Sequence, residues 1–258
     1  MKSSPKLRTL AQPALLAALS IAILMPLAAC RTNIADDPIL RLSAEESLVR
    51  GKELLAREKY AEARKYLAHA YEAEPNSSAG REGLLLAADT LFLQGGTQNL
   101  IQAEAKYRDF RNRFPTSDKA PYVQFQIGKS LAARMERPDR DQSDSQKALE
   151  AFQEVARLYP TSEFAEQAGT ESKRVLDNLA DHEFVVGLFY LRYGLPVAAV
   201  QRFEYLLNTY PEYPEKDKVL YHLGRAYQRQ QQPEQAAATF ERLRTEFPQS
   251  PFISEIEG

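Results

Sequence analysis

The stretch Leu220-Tyr221-His222-Leu223-Gly224-Arg225-Ala226-Tyr227, followed by Ala236, Phe240 and Pro248, decides the fold of this 258-residue chain. Leu220, Leu223, Gly224 and Tyr227 recur at intervals of three and four, the spacing of one face of a helix. Ala236 and Phe240 mark a second helix, the alanine standing twelve residues after the glycine. Small residues belong where two helices cross. Pro248 ends the second helix because it has no backbone N–H to donate. The same alanine-to-proline spacing of twelve returns at Ala63/Pro75, Ala103/Pro115, Ala148/Pro160 and Ala199/Pro211. Gly51 and Gly187 precede their alanines as Gly224 does. A large residue always stands four after the alanine, at Leu67, Tyr107, Phe152, Phe203 and Phe240, and is expected to fill the gap between repeats.

Five antiparallel helix pairs of this kind define tetratricopeptide (TPR) repeats, each about 34 residues long. Such units cannot bury their apolar faces alone. The expected fold is therefore all-α, one right-handed TPR solenoid of five helix-turn-helix repeats, with the first (A) helices lining a concave face. The repeats are irregular. The first spans about 43–76 and the second about 77–116, with its turn at Gly95-Gly96. The third, about 117–161, is stretched by the insert Glu136-Arg137-Pro138-Asp139-Arg140-Asp141-Gln142-Ser143. Residues 163–193 carry no strong turn signal and read as one long helix, or two nearly continuous ones. The fifth repeat, about 215–248, keeps the standard spacing, and Pro251-Phe252-Ile253 is too short for a full capping helix.

The amino-terminal thirty residues stand apart. Lys2, Lys6 and Arg8 precede an apolar run from Leu10 to Leu27, and Leu27-Ala28-Ala29-Cys30 follows at once. An ordinary leader cut at a small-residue site is one reading. A spanning anchor is another, opposed by Pro13 and Pro26. Leu-Ala-Ala-Cys resembles the lipobox of bacterial lipoproteins, which implies acylation of Cys30 and attachment to the lipid bilayer through it. Cys30 is the only cysteine, so no disulfide competes for it. Arg31 stands where an aspartate would resemble an inner-membrane retention signal, so the expected address is the periplasmic face of the outer membrane. The expected organisation is a leader over 1–29, a lipidated flexible tether over 30–42, repeats one to three over 43–161 and repeats four and five over 162–258. With 33 basic and 35 acidic residues the balance is slightly acidic, and nothing indicates a nucleic-acid surface.

The sequence offers little for catalysis. His69, His182 and His222 lie in different repeats, without metal-ligand spacing. His182, between Asp181 and Glu183, reads as a solvated helix residue, because adjacent helical side chains point about 100° apart. No nucleophile elbow or phosphate loop is present. No enzyme activity, cofactor or metal is expected. The better candidates bind peptides. Groove-facing A-helix positions are expected at Lys52, at Tyr122, Phe125 and Lys129, at Phe184, and at Lys218, Tyr221, Arg225 and Gln228. Aromatics beside cations suit extended peptides, through apolar burial, cation–π contact and charge-assisted bonds. Phe125, Phe184 and Tyr221 read equally well as core. Asp139-Arg140-Asp141 reads either as a solvated charge run or as a candidate partner-binding loop, which Arg140 fixes over the concave surface by pairing with a neighbouring acid.

Arg137-Pro138-Asp139-Arg140-Asp141-Gln142, Lys147-Ala148-Leu149-Glu150-Ala151-Phe152 and Tyr159-Pro160-Thr161-Ser162 resemble one lipoprotein family. So do Leu179-Ala180-Asp181-His182-Glu183, Phe189-Tyr190-Leu191-Arg192-Tyr193-Gly194 and Val197-Ala198-Ala199. It is the BamD family of the outer-membrane β-barrel assembly machine, and Asp139-Arg140-Asp141-Gln142 matches its loop motif residue for residue. The chain departs from the family at Ala73-Glu74-Pro75-Asn76-Ser77 and at Asn208, where a basic residue is common. The resemblance implies a scaffold that holds the membrane-embedded β-barrel assembly protein through its periplasmic domains and receives unfolded outer-membrane protein segments. A periplasmic TPR lipoprotein serving peptidoglycan enzymes or pilus assembly is the alternative.

Overall fold

The computed structural model describes residues 37–257. The leader, Cys30 and most of the expected tether lie outside the described residues. Residues 37–43 belong to a unit separate from the repeats. In it Pro38–Arg41 forms a 3-10 helix, and the Asp37 side chain accepts a hydrogen bond from Ile39 N at 3.0 Å. An aspartate cap with proline at the first helical position favours this helical turn, which falls within the stretch expected to be a tether.

From Ala44 onward the chain is a succession of helical hairpins. Repeat one is α1 (Ala44–Ala56) and α2 (Tyr60–Ala73), and repeat two is α3 (Ser78–Gln94) and α4 (Thr97–Arg113). Repeat three is α5 (Ala120–Ala132) and α6 (Ser143–Leu158), and repeat four is α7 (Glu163–Arg192) and α8 (Pro196–Thr209). Repeat five is α9 (Lys216–Arg229) and α10 (Pro233–Glu246), followed by the short α11 (Phe252–Glu257). Each helix packs on the next. In addition α1 touches α3, α5 touches α7 and α7 touches α9, so first helices of successive repeats lie side by side. The all-α TPR fold expected from the spacing is the fold observed.

One turn closes every repeat. The N–H groups of Ser77, Ser117, Ser162, Tyr213 and Ser250 donate to the carbonyls of Glu74, Phe114, Tyr159, Tyr210 and Phe247, at 2.9 to 3.1 Å. The repeat-ending proline stands inside each of these turns, where its missing N–H costs nothing.

The spacing motif explains the packing, with one correction. A Cβ on Gly51 would stand 2.6 Å from Leu67, and on Gly128 or Gly187 it would stand 2.5 Å from Phe152 or Phe203. Gly224 faces Phe240 in the same way. The large residue therefore fills the space left by the glycine of its own repeat, rather than mainly the gap between repeats. Phe203 does both, because it also reaches His222 of the next repeat, with ring centres 6.3 Å apart. Gly128 escapes the sequence spacing because it stands twenty residues before Ala148 instead of twelve, displaced by the insert.

Residues 163–193 resolve into one continuous thirty-residue helix, α7. It threads two apolar clusters: Ala168, Val175 and Leu179 pack with repeats two and three, and Ala180, Phe184 and Leu191 with repeats four and five. At the carboxy-terminal end, Phe252 of α11 stacks on Tyr221 at 5.0 Å, and Ser250 Oγ donates to Asp217 Oδ2 at 2.7 Å. These contacts cover part of the last A helix.

Candidate binding groove

The A helices α3 and α5, with the start of α7, enclose a cleft of about 650 Å³. Its floor is apolar, formed by Leu85, Leu86, Phe110 and Phe164, and its rim carries Arg81, Glu82, Asp118, Lys119 and Glu163. The Ser77 side chain caps α3 by accepting from Gly80 N at 2.9 Å, which fixes where the first wall begins. Deep in the cleft, Asp89 Oδ1 accepts hydrogen bonds from Tyr107 Oη at 2.6 Å and Tyr122 Oη at 2.9 Å. Gln126 Nε2 donates to the Tyr122 oxygen at 2.8 Å. Burial raises the Asp89 carboxyl above the usual carboxylate range, against the opposing effect of its two phenol donors. Burial likewise raises the Tyr107 and Tyr122 phenols, and the neighbouring carboxylate adds to it, so both remain protonated donors.

Tyr122 thus lines the cleft as expected, with its hydroxyl already engaged and its ring edge against Phe164 at 5.5 Å. Phe125 does not line it: 8% exposed, it packs against Phe152 and Phe164. Phe184 is also core, 5% exposed between Phe203 and His222. For both, the groove reading is corrected, because each ring is covered by its own B helix and by the next A helix.

The expected cations are mostly occupied within the chain. Lys52 Nζ lies 2.5 Å from Glu82, bridging repeats one and two. Lys129 Nζ lies 2.6 Å from Glu171 across α5 and α7. Burial raises the Glu171 carboxyl, but hydrogen bonds from Lys129 and Arg174 outweigh it and hold the group below its usual range. Lys218 pairs with Glu215 at 2.8 Å and stands 4.8 Å over the Phe184 ring. Tyr221 is half-buried under Phe252, its phenol raised first by the hydrogen bond to Glu255. Gln228 and Arg225 are exposed, and Arg225 makes no ion pair among the described residues.

The third-repeat insert is held differently from the expectation. Arg140 is not its lock: the side chain is 62% exposed, with only a loose 3.8 Å approach to Asp139. Gln142, 6% exposed, is the lock. Its amide donates to the carbonyls of Arg137 and Arg140 at 3.0 and 3.1 Å. Its oxygen accepts from Ser145 Oγ at 2.8 Å and Asn178 Nδ2 at 2.6 Å. His182, expected to be solvated, is partly buried with Nδ1 2.6 Å from the Pro138 carbonyl, which ties the insert to α7. Asp141 Oδ1 accepts from Ser143 N at 3.0 Å and opens α6. Arg140 is left on the surface of a fixed loop.

Sequence reasoning missed Asp89, Gln142 and Arg134. The Arg134 side chain, 7% exposed, joins Glu104 at 2.7 Å and Asp144 at 2.9 Å and so ties repeat two to repeat three. Only Gln142 left a signal, as the last residue of the Asp139-Arg140-Asp141-Gln142 motif.

Stacked helical hairpins with an apolar cleft across their A helices place the chain in the class of TPR repeat proteins. The family model described as YfiO, outer membrane lipoprotein, matches residues 42–243, and the chain belongs to that family. Several relatives named outer membrane protein assembly factor BamD match it over most of both chains. That of Neisseria meningitidis serogroup A is 26% identical over 92% of both chains. That of Haemophilus influenzae is 25% identical over 83% of both. The BamD of Xylella fastidiosa is 32% identical over a shorter segment, 46% of this chain and 44% of its own. Among solved structures, the chain is similar to the TPR2AB domain of yeast Sti1 (14% identity, 80% of this chain, 78% of that one, TM-score 0.42). It is also similar to a thermophilic TPR protein of Thermus thermophilus (17% identity, 80% and 93%, TM-score 0.37).

Proposed function

We propose that this chain is an outer membrane protein assembly factor, anchored through acylated Cys30 at the periplasmic face of the outer membrane. In this reading its carboxy-terminal repeats hold the membrane-embedded assembly protein through that protein's periplasmic domains. Its amino-terminal groove receives unfolded barrel segments. The observation that carries the reading is the cleft between α3, α5 and α7, in a chain belonging to a family of outer membrane lipoproteins.

The chemistry of the cleft suits a barrel strand before it has paired. Such a segment is extended and alternates apolar with polar side chains. Leu85, Leu86 and Phe164 offer the apolar side burial, while Arg81 and Lys119 at the rim face its carboxylates and carbonyls. Since α3, α5 and α7 come from three repeats, the cleft exists only when the array is stacked.

A photo-cross-linking residue in place of Arg81, which is exposed on the cleft rim, tests the reading in intact cells. The expected result is covalent capture of newly secreted barrel proteins. Capture of peptidoglycan hydrolases in their place would overturn it.

A further inference from the structure

A second cleft, of about 410 Å³, lies between the end of α7 and α9. Leu188, Leu191 and Arg192 form one stripe on α7, three and four residues apart, the spacing of one helix face. Tyr221, Arg225 and Arg229 form the facing stripe on α9, at successive intervals of four. Arg229 Nη1 donates to the Leu191 carbonyl at 2.5 Å, which holds its guanidinium at the end of α7. Arg192, Arg225 and Arg229 make no ion pair among the described residues, although acids outnumber bases in the chain, 35 to 33. The nearby Glu255 bonds to the Tyr221 hydroxyl. His222 brings no further charge at neutral pH, because burial lowers its imidazole to about 4, with Lys218 adding to the effect.

We infer that this cleft binds an acidic peptide segment of a partner protein, with carboxylates on Arg192, Arg225 and Arg229 and apolar side chains on Leu188, Leu191 and Tyr221. Three cations lining one cleft repel one another, and a carboxylate ligand removes that cost. Guanidinium forks match carboxylate geometry, so the contacts are directional as well as electrostatic. The apolar lining favours a peptide over a bare phosphate, which would leave Leu188 and Leu191 uncovered. The inference rests on the scaffold reading and gives the chemistry of a partner at the carboxy-terminal repeats.

The probe is a labelled, end-capped peptide alternating phenylalanine and glutamate, titrated by fluorescence anisotropy into the purified protein. A control peptide carries glutamine for every glutamate. The expected result is that the control binds about tenfold more weakly or worse, and that Arg225→Gln and Arg192→Gln each weaken the acidic probe by about tenfold. Both side chains are exposed, so neither change threatens folding. Equal affinity for the two peptides, unchanged affinity in both variants, or displacement of the probe by equimolar inorganic phosphate would overturn the inference. Cross-linking from position 81 reads the other cleft, so capture there with no effect here would separate this failure from failure of the scaffold reading.

Discussion

Gly187→Ala and Gly169→Ala make the same chemical change in the same helix, and the packing requires opposite outcomes. At Gly187 the new methyl would stand 2.5, 2.8 and 2.9 Å from three atoms of the Phe203 ring. That ring cannot swing away, because it is fully buried between Phe184 and His222. Overpacking of this kind costs about 1–3 kcal/mol, and three close atoms place the cost at the upper end. Alanine returns about 1 kcal/mol of helix propensity, leaving a net loss of about 2 kcal/mol. At Gly169 no atom lies within 4 Å, so only the propensity gain remains, a stabilisation of about 0.5–1 kcal/mol. Urea unfolding followed by circular dichroism reads both shifts. Repeat arrays can unfold in steps, so hydrogen exchange of the α7 and α8 amides locates the change. A double-mutant cycle completes the test. Phe203→Ala alone should cost about 3–5 kcal/mol. In that background Gly187→Ala should become stabilising, because the methyl then enters vacated space. Shifts of the same sign at positions 187 and 169, or a cycle without coupling, would refute the packing of glycine against the large residue.

Gln142→Ala should cost about 1–3 kcal/mol, because it strands the buried amide partners that hold the insert, and exchange over residues 137–142 should accelerate. Arg140→Ala, at a largely exposed position, should leave the thermal transition where it is, and the reverse ranking would return the lock to Arg140. Asp89 predicts a pH dependence. Its folded pKa is raised by burial, so its contribution is fully present below the unfolded pKa and is lost as pH rises through the folded one. Asp89→Asn should therefore gain stability relative to the parent as pH rises above the unfolded carboxylate pKa of about 4, measured by urea unfolding at each pH, and a constant difference would refute the assignment.

The fold was legible in the sequence because TPR packing is written in residue sizes at fixed spacing. Gly51, Gly187 and Gly224 each face the large residue their spacing indicates. Gly128 does the same, hidden only by the insert. Repeat two departs, because Leu91 stands twelve before Ala103 and the large residue, Tyr107, directs its hydroxyl to Asp89. The groove was less legible. On an A helix the buried arc is wide, since three neighbouring helices press on it, and one residue of register separates floor from core. Tyr122 falls on the groove side and Phe125 on the core side of such an arc. Polar locks are harder still: Gln142 meets Asn178 from thirty-six residues away, and no local pattern announces that pairing.

Helix α7 also settles how the two clefts relate. The sequence left 163–193 as one helix or two, and the difference matters for binding. Phe164 lines the first cleft, and Leu188, Leu191 and Arg192 line the second. In one uninterrupted helix each residue turns by about 100° and rises about 1.5 Å, so the two sets of side chains stand about 36 to 42 Å apart along the helix in a fixed rotational relation. A break between them would leave that relation free. With its apolar residues passing from one cluster to the next between Leu179 and Ala180, the one rod would keep a substrate segment in the first cleft and an acidic partner segment in the second, as proposed above, at a set separation. The proposed scaffold role requires that property, and here it would come from the repeat that departs furthest from the standard length.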